Sequence, residues 1–130
     1  SWTEWKTATR HVYRNRRWKE MHSPEHKEAV ASCFLEKATV ETDEQGKHNW
    51  LLLARKWDHN VEGLTEMSRP LAEKLDLEGQ ERMASEEWVM AYEAFALSMA
   101  LDPSRSHTRR RAEEARDKKL NITPPYKKEK

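Results

Sequence analysis

Helix breakers are few in this chain, and their positions divide it into long uninterrupted pieces. Three glycines (Gly46, Gly63, Gly79) and five prolines (Pro24, Pro70, Pro103, Pro124, Pro125) are spread over 130 residues. Between them Ala, Glu, Lys, Leu and Arg dominate, residues that lose little side-chain freedom in a helix. No segment alternates apolar and polar residues with period two over a useful length, so no strand is expected. The expectation is an all-α protein of helical hairpins, ending in a capping helix and an extended basic tail.

The breakers also place the elements. Residues 2–21 have a roughly helical spacing of aromatics among arginines, and 1–22 reads as a basic aromatic arm or helix. Ser23-Pro24-Glu25 is a helix start: Ser23 can cap, and Pro24 suits the first turn because its missing N–H would be unpaired there anyway. That helix should reach about Val40, with Val30, Cys33, Phe34, Lys37 and Ala38 on one face. Thr42–His48, which holds Gly46, reads as a connection. Trp50, Leu53, Ala54, Trp57, Val61 and Leu64 then recur at three- and four-residue steps, with Gly63 as a weak point. Ser68-Arg69-Pro70 marks the next boundary, so 23–70 is one helical region and 71–120 another. The second holds helices near 70–84 and 86–101, stopped by Asp102-Pro103-Ser104, and a last helix from Ser106 or Thr108 to about Leu120. Its apolar content is mostly alanine, and oppositely charged neighbours lie one turn apart, as in a solvated lid. Residues 121–130, with Pro124-Pro125, should be extended.

Residues 72–105 carry a further pattern. Leu75 and Gly79 stand on the first helix; Trp88, Ala91, Phe95 and Ser98 stand on the second; Pro103 ends it. This spacing resembles one tetratricopeptide repeat, a helix–turn–helix unit of about 34 residues. Leu75 sits at an early Trp/Leu position, Gly79 at the small position where the helices cross, and Ala91 with Phe95 in the A-x3-F signature. Departures are Arg82 at a usually apolar position, with Met83 beside it, Ser98 for alanine, and Glu86 for a common turn glycine. The resemblance implies a protein-interaction unit closed by a solvating end helix, and weaker half-repeats upstream around Ala31, Leu35 and Ala38 and around Trp50–Trp57. Ala54 and Gly79 lie 25 residues apart, which is not a repeat length. One repeat cannot bury its faces alone, so upstream helices or a partner must cover them. Some relatives of this type clamp chaperone carboxylates from the first helix. Asp76 and Gln80 stand at those positions here, and an acid there would repel a carboxylate.

Charge is unevenly spread. Residues 1–20 hold six Lys/Arg and two Asp/Glu (net +4), residues 104–130 ten and four (+6), and 21–103 eight and seventeen (−9). Basic ends flanking an acidic body suit arms that hold a partner. Six tryptophans are many for a chain whose charged fraction is 36%, and tryptophan is a favoured interface anchor. The candidate contacts are Trp2, Trp5, Arg10, Tyr13, Arg14, Arg16, Arg17 and Trp18 in the N-terminal arm, Arg109, Arg110 and Arg111 on the last helix, and Tyr126 in the tail.

No catalytic or cofactor motif is found. Cys33 is alone, so no intrachain disulfide forms, and it reads as buried packing rather than as a nucleophile. His22 and His26 are four apart, but Ser23-Pro24 interrupts the helix that would align them, and no paired Cys/His spacing suggests a metal. Phosphate-loop, dinucleotide and nucleophile-elbow patterns are lacking. No run of apolar residues is long enough to span a bilayer. The expectation is a non-enzyme without cofactor or metal: an interaction or scaffold protein, an accessory structural subunit of a larger complex. The arginine-rich, acid-poor start and the absence of an initiating methionine point to an intracellular, mitochondrial setting rather than a cytosolic one. The alternative is an RNA-contacting subunit of a ribonucleoprotein such as a ribosome, since arginine with interleaved aromatics can hold phosphate and stack bases. An adaptor taking a short peptide near Gln80 ranks below both, because one repeat offers little concave surface.

Overall fold

The computed structural model describes residues 22–121, and all the regular structure among them is helical. Five helices follow one another: α1 (Pro24–Val40), α2 (Glu44–Trp57), α3 (Leu64–Ala84), α4 (Trp88–Leu101) and α5 (Ser106–Asn121). The chain divides into two compact units after Leu64, six residues before the boundary expected at Pro70. The arm before residue 22 and the tail after residue 121, with the helical and extended conformations expected there, lie outside the described residues.

In the first unit α1 and α2 pair as an antiparallel hairpin. Ser23 caps α1 as expected: its hydroxyl accepts the His26 amide at 3.2 Å, and Pro24 occupies the first turn. The inward face of α1 agrees with the expected one at Ala38 and differs elsewhere. Ala31, Leu35 and Ala38 are buried, whereas Cys33 and Lys37 are exposed and Phe34 is half-buried. Cys33 is therefore not packing in a core. Small alanines let the helices approach, and the larger side chains lie along the seam. The ring of Phe34 stacks on Trp50 with centroids 5.8 Å apart, and Lys37 sits over the same indole at 5.4 Å.

The expected connection at 42–48 is mostly helix. Asp43 is the cap, and its carboxylate accepts the Gly46 amide at 2.9 Å, so Gly46 lies in the first turn of α2. A Cβ there would come within 2.7 to 2.9 Å of the Glu41 side chain. The glycine makes room for Glu41, which accepts the Trp50 indole N–H at 3.0 Å. That hydrogen bond, helped by the Asp43 amide, holds the Glu41 carboxyl below its ordinary pKa. His48, Leu51 and Ala54 point inward on α2, while Leu53 is exposed. Helix α2 stops at Trp57, and Gly63 supplies the left-handed backbone (φ +92°) of the turn that follows.

In the second unit α3 runs through Ser68 and Pro70, where the sequence places a boundary with Ser68 as the cap of a helix beginning near residue 70. Pro70 is on the solvent face, so the Glu66 carbonyl left without its helical N–H donor can be hydrated. Ser68 does not cap; its side chain is buried, and no hydrogen-bond partner for its hydroxyl lies among the described residues. Local chemistry favoured a boundary there, and burial of Ser68, Ala72 and Leu75 along one stripe overrode it.

Helix α3 ends in a Schellman turn. The Glu87 amide donates to the Arg82 carbonyl (2.8 Å) and the Glu86 amide to that of Met83 (3.0 Å). Glu86, at the left-handed position of this turn, has φ +60°. Arg82 spans the turn and pairs with Glu87 at 2.8 Å. Helix α4 then returns antiparallel to α3, and α5 packs back on α4. Ala91, Phe95, Ala112 and Ala115 form the buried centre of this unit, flanked by Met83, Tyr92 and Met99.

Candidate partner-binding surface

Two features of the second unit bear on function: how α5 is held, and what the pairing of α4 with α5 leaves open. The α3–α4 contact fixes the frame for both. A Cβ on Gly79 would lie 2.5 to 2.8 Å from three carbons of the Phe95 ring, so the aromatic ring lies directly against the glycine backbone. The buried Ser98 hydroxyl donates to the Ala72 carbonyl at 2.6 Å, which ties the far ends of the two helices. Leu75 and Ala91 are buried between them, Met83 packs on the Phe95 cluster, and Trp88 lies under the Lys118 ammonium at 5.7 Å. Pro103 is exposed in the turn beyond α4.

That turn is built by Asp102. Its carboxylate accepts the Ser104 hydroxyl at 2.6 Å and the Ser104 amide at 3.2 Å. Burial pushes the Asp102 pKa up, but the two Ser104 hydrogen bonds and the charges of Arg69 and Arg105 outweigh it, and the net shift is downward.

Asp76 holds α5 in place. It is 3% exposed, and one of its oxygens accepts from Arg111 at 2.7 Å and from Arg105 at 3.1 Å. Arg105 also donates to the Thr108 hydroxyl (3.0 Å) and approaches Glu73 (3.9 Å). The second oxygen of Asp76 has no hydrogen-bond partner among the described residues. Asp76 therefore does not face an open groove as a repelling acid; it is covered by two arginines. Gln80 stays exposed.

Of the candidate contacts, those between Trp2 and Trp18, and Tyr126, lie outside the described residues. On α5, Arg111 turns inward to Asp76, while Arg109 and Arg110 point to solvent. Beside Arg109 is a groove of about 440 Å³ between α4 and α5. Helix α4 lines it with Tyr92, Ala96, Met99 and Ala100, and α5 with Arg109, Ala112, Glu113 and Arg116. The sequence pattern did not single out this groove. Its signal was the composition of α4: twelve of its fourteen residues are apolar, and Glu93 carries its only charge.

No group of three or more His, Cys, Asp or Glu that could hold a metal ion occurs among the described residues, and no described helix is long and apolar enough to cross a membrane. No family model matches the chain, and no curated protein or solved structure matches it.

Proposed function

We propose that this protein is a non-catalytic structural subunit that binds other proteins of a larger assembly. Helix α4 carries the argument. A helix that is apolar on nearly every face, with Glu93 as its one charge, is suited to a buried setting. Helices α3 and α5 cover part of α4, yet Val89 and Met90 remain 44% and 47% exposed and the α4–α5 groove stays open. A partner protein would complete the burial. The Gly79–Phe95 contact, the left-handed turn at Glu86 and the antiparallel α3–α4 pair support reading 72–105 as one tetratricopeptide-like repeat, with α5 as its end helix.

The test is native purification of the tagged full-length chain, followed by a high-salt wash and mass spectrometry of what stays bound. The expected result is a stoichiometric set of protein subunits that survives the wash, because apolar burial is insensitive to screening. Loss of every protein partner, with RNA recovered only at low salt, would instead indicate phosphate binding by the basic ends.

A further inference from the structure

We infer that the groove between α4 and α5 receives an acidic amphipathic helix of a partner protein. This rests on the assembly reading above and names the chemistry of the partner. The floor is apolar and low: Ala96, Ala100 and Ala112 carry only methyl groups, so a helix can approach with its side chains between theirs, and Met99 adapts to what it meets. The rim is basic. Arg109 and Arg116 are exposed, have no ion-pair partner within 4 Å among the described residues, and stand on the same wall of the groove with Glu113 between them. Seven residues of helix separate the two arginines by about 10 Å, the span of two turns of an incoming helix. An apolar stripe with carboxylates beside it, spaced two turns apart, matches both floor and rim. The arginine fork pairs well with such carboxylates.

A single-stranded nucleic acid fits less well. Base stacking needs an open aromatic face, and the Lys119 ammonium already lies over the Tyr92 ring at 5.3 Å.

Three designed helical peptides of about 18 residues, a length at which helices become persistent in water, test the inference. They share one Leu/Met stripe and differ only in flanking residues: glutamate, lysine or glutamine. Each is titrated into the full chain while backbone amide shifts are followed. The glutamate peptide should move the amides of Ala96, Met99, Ala100 and Ala112, and should bind at least tenfold more tightly than the lysine peptide. The double variant Arg109→Glu/Arg116→Glu changes only exposed side chains, so folding is preserved, and it should reverse that preference. Equal binding of the two charged peptides, shifts that map elsewhere, or an unreversed preference in the variant would overturn the inference. Displacement of the glutamate peptide from the same amides by a single-stranded RNA oligonucleotide would overturn it in favour of phosphate.

Native purification of the same variant separates the two readings. Subunits that stay on the variant as they do on the wild type would remove the groove as their site and leave the assembly intact. A wild-type chain that retains no subunit would remove the assembly, and the peptide titration would then decide the groove alone.

Discussion

The two units solve the same problem, pairing helices in a very polar chain, by opposite means. The first keeps its polar contacts at the surface: the Trp50–Glu41 hydrogen bond, the Lys37 ammonium over Trp50, and the Ser23 and Asp43 caps join residues close in sequence. Its interior is alanine, leucine and Val61, with His48. The second places a carboxylate inside and reaches it from far along the chain, with Arg105 and Arg111 lying 29 and 35 residues from Asp76. Local caps and seams hold a hairpin in register. A third helix as polar as α5 has little apolar surface to hold it, and here a buried charge supplements three small contacts at Thr108, Ala112 and Ala115.

The largest expected effect comes from Phe95, which is fully buried at the centre of the second unit. Phe95→Ala should cost about 3–5 kcal/mol. Native-state hydrogen exchange should show the loss in α3 to α5, with protection of α1 and α2 unchanged. Equal loss in both hairpins would mean that the two units do not unfold separately.

Asp76→Ala comes next. It leaves two arginines without their shared acceptor, and removal of one buried partner typically costs about 3–5 kcal/mol. Arg105 and Arg111 are partly exposed and can rehydrate, so the low end, about 3 kcal/mol, is expected. Denaturant unfolding measures it, and α5 amides should exchange first. An exposed-seam change such as Lys37→Ala should cost under about 1 kcal/mol, and a comparable loss there would erase the contrast between the units.

Gly79→Ala sharpens the picture of the α3–α4 contact. The added methyl meets the Phe95 ring, and overpacking should cost about 1–3 kcal/mol. A Phe95→Leu background should recover part of that, visible as coupling in a double-mutant cycle. Additive losses would mean that the ring is not what the methyl meets.

One change has the opposite sign. Glu86 occupies a left-handed turn position that glycine adopts without steric penalty, so Glu86→Gly should raise stability by about 1 kcal/mol. Thermal unfolding would detect it. The pH dependence at the next turn also has a defined sign. Asp102 has a lowered pKa, so its contribution is fully present above the ordinary aspartate range and lost as pH falls through its folded value. Asp102→Asn should therefore flatten the acid limb of the stability curve below about pH 4.

Much of this architecture is legible in the residues, because helix starts and stops are local. Ser23-Pro24 and Asp102-Pro103 act within one turn and stand where the pattern places them. Pro70 misleads because its effect depends on which face it occupies, and a proline on the wet side leaves a carbonyl that water can serve. The inward face of α1 is legible in part: Ala31, Leu35 and Ala38, named for the weak half-repeat, are buried, whereas the spacing that put Cys33 and Lys37 beside Ala38 misleads because close approach selects small side chains. Asp76 can be located on its helix, but not its partners, since nothing local in sequence links it to Arg105 and Arg111. The groove is half legible: the mostly apolar composition of α4 marks it for burial, but which side stays open depends on the packing of α5.

The composition of α4 also bears on how much of this protein a cell keeps. Val89, Met90 and the open α4–α5 groove leave apolar surface exposed, and such surface is the kind of feature that chaperones and proteases recognise. On the proposed reading, copies made in excess of a covering partner would be cleared, and steady-state abundance would follow the partner rather than the rate of synthesis.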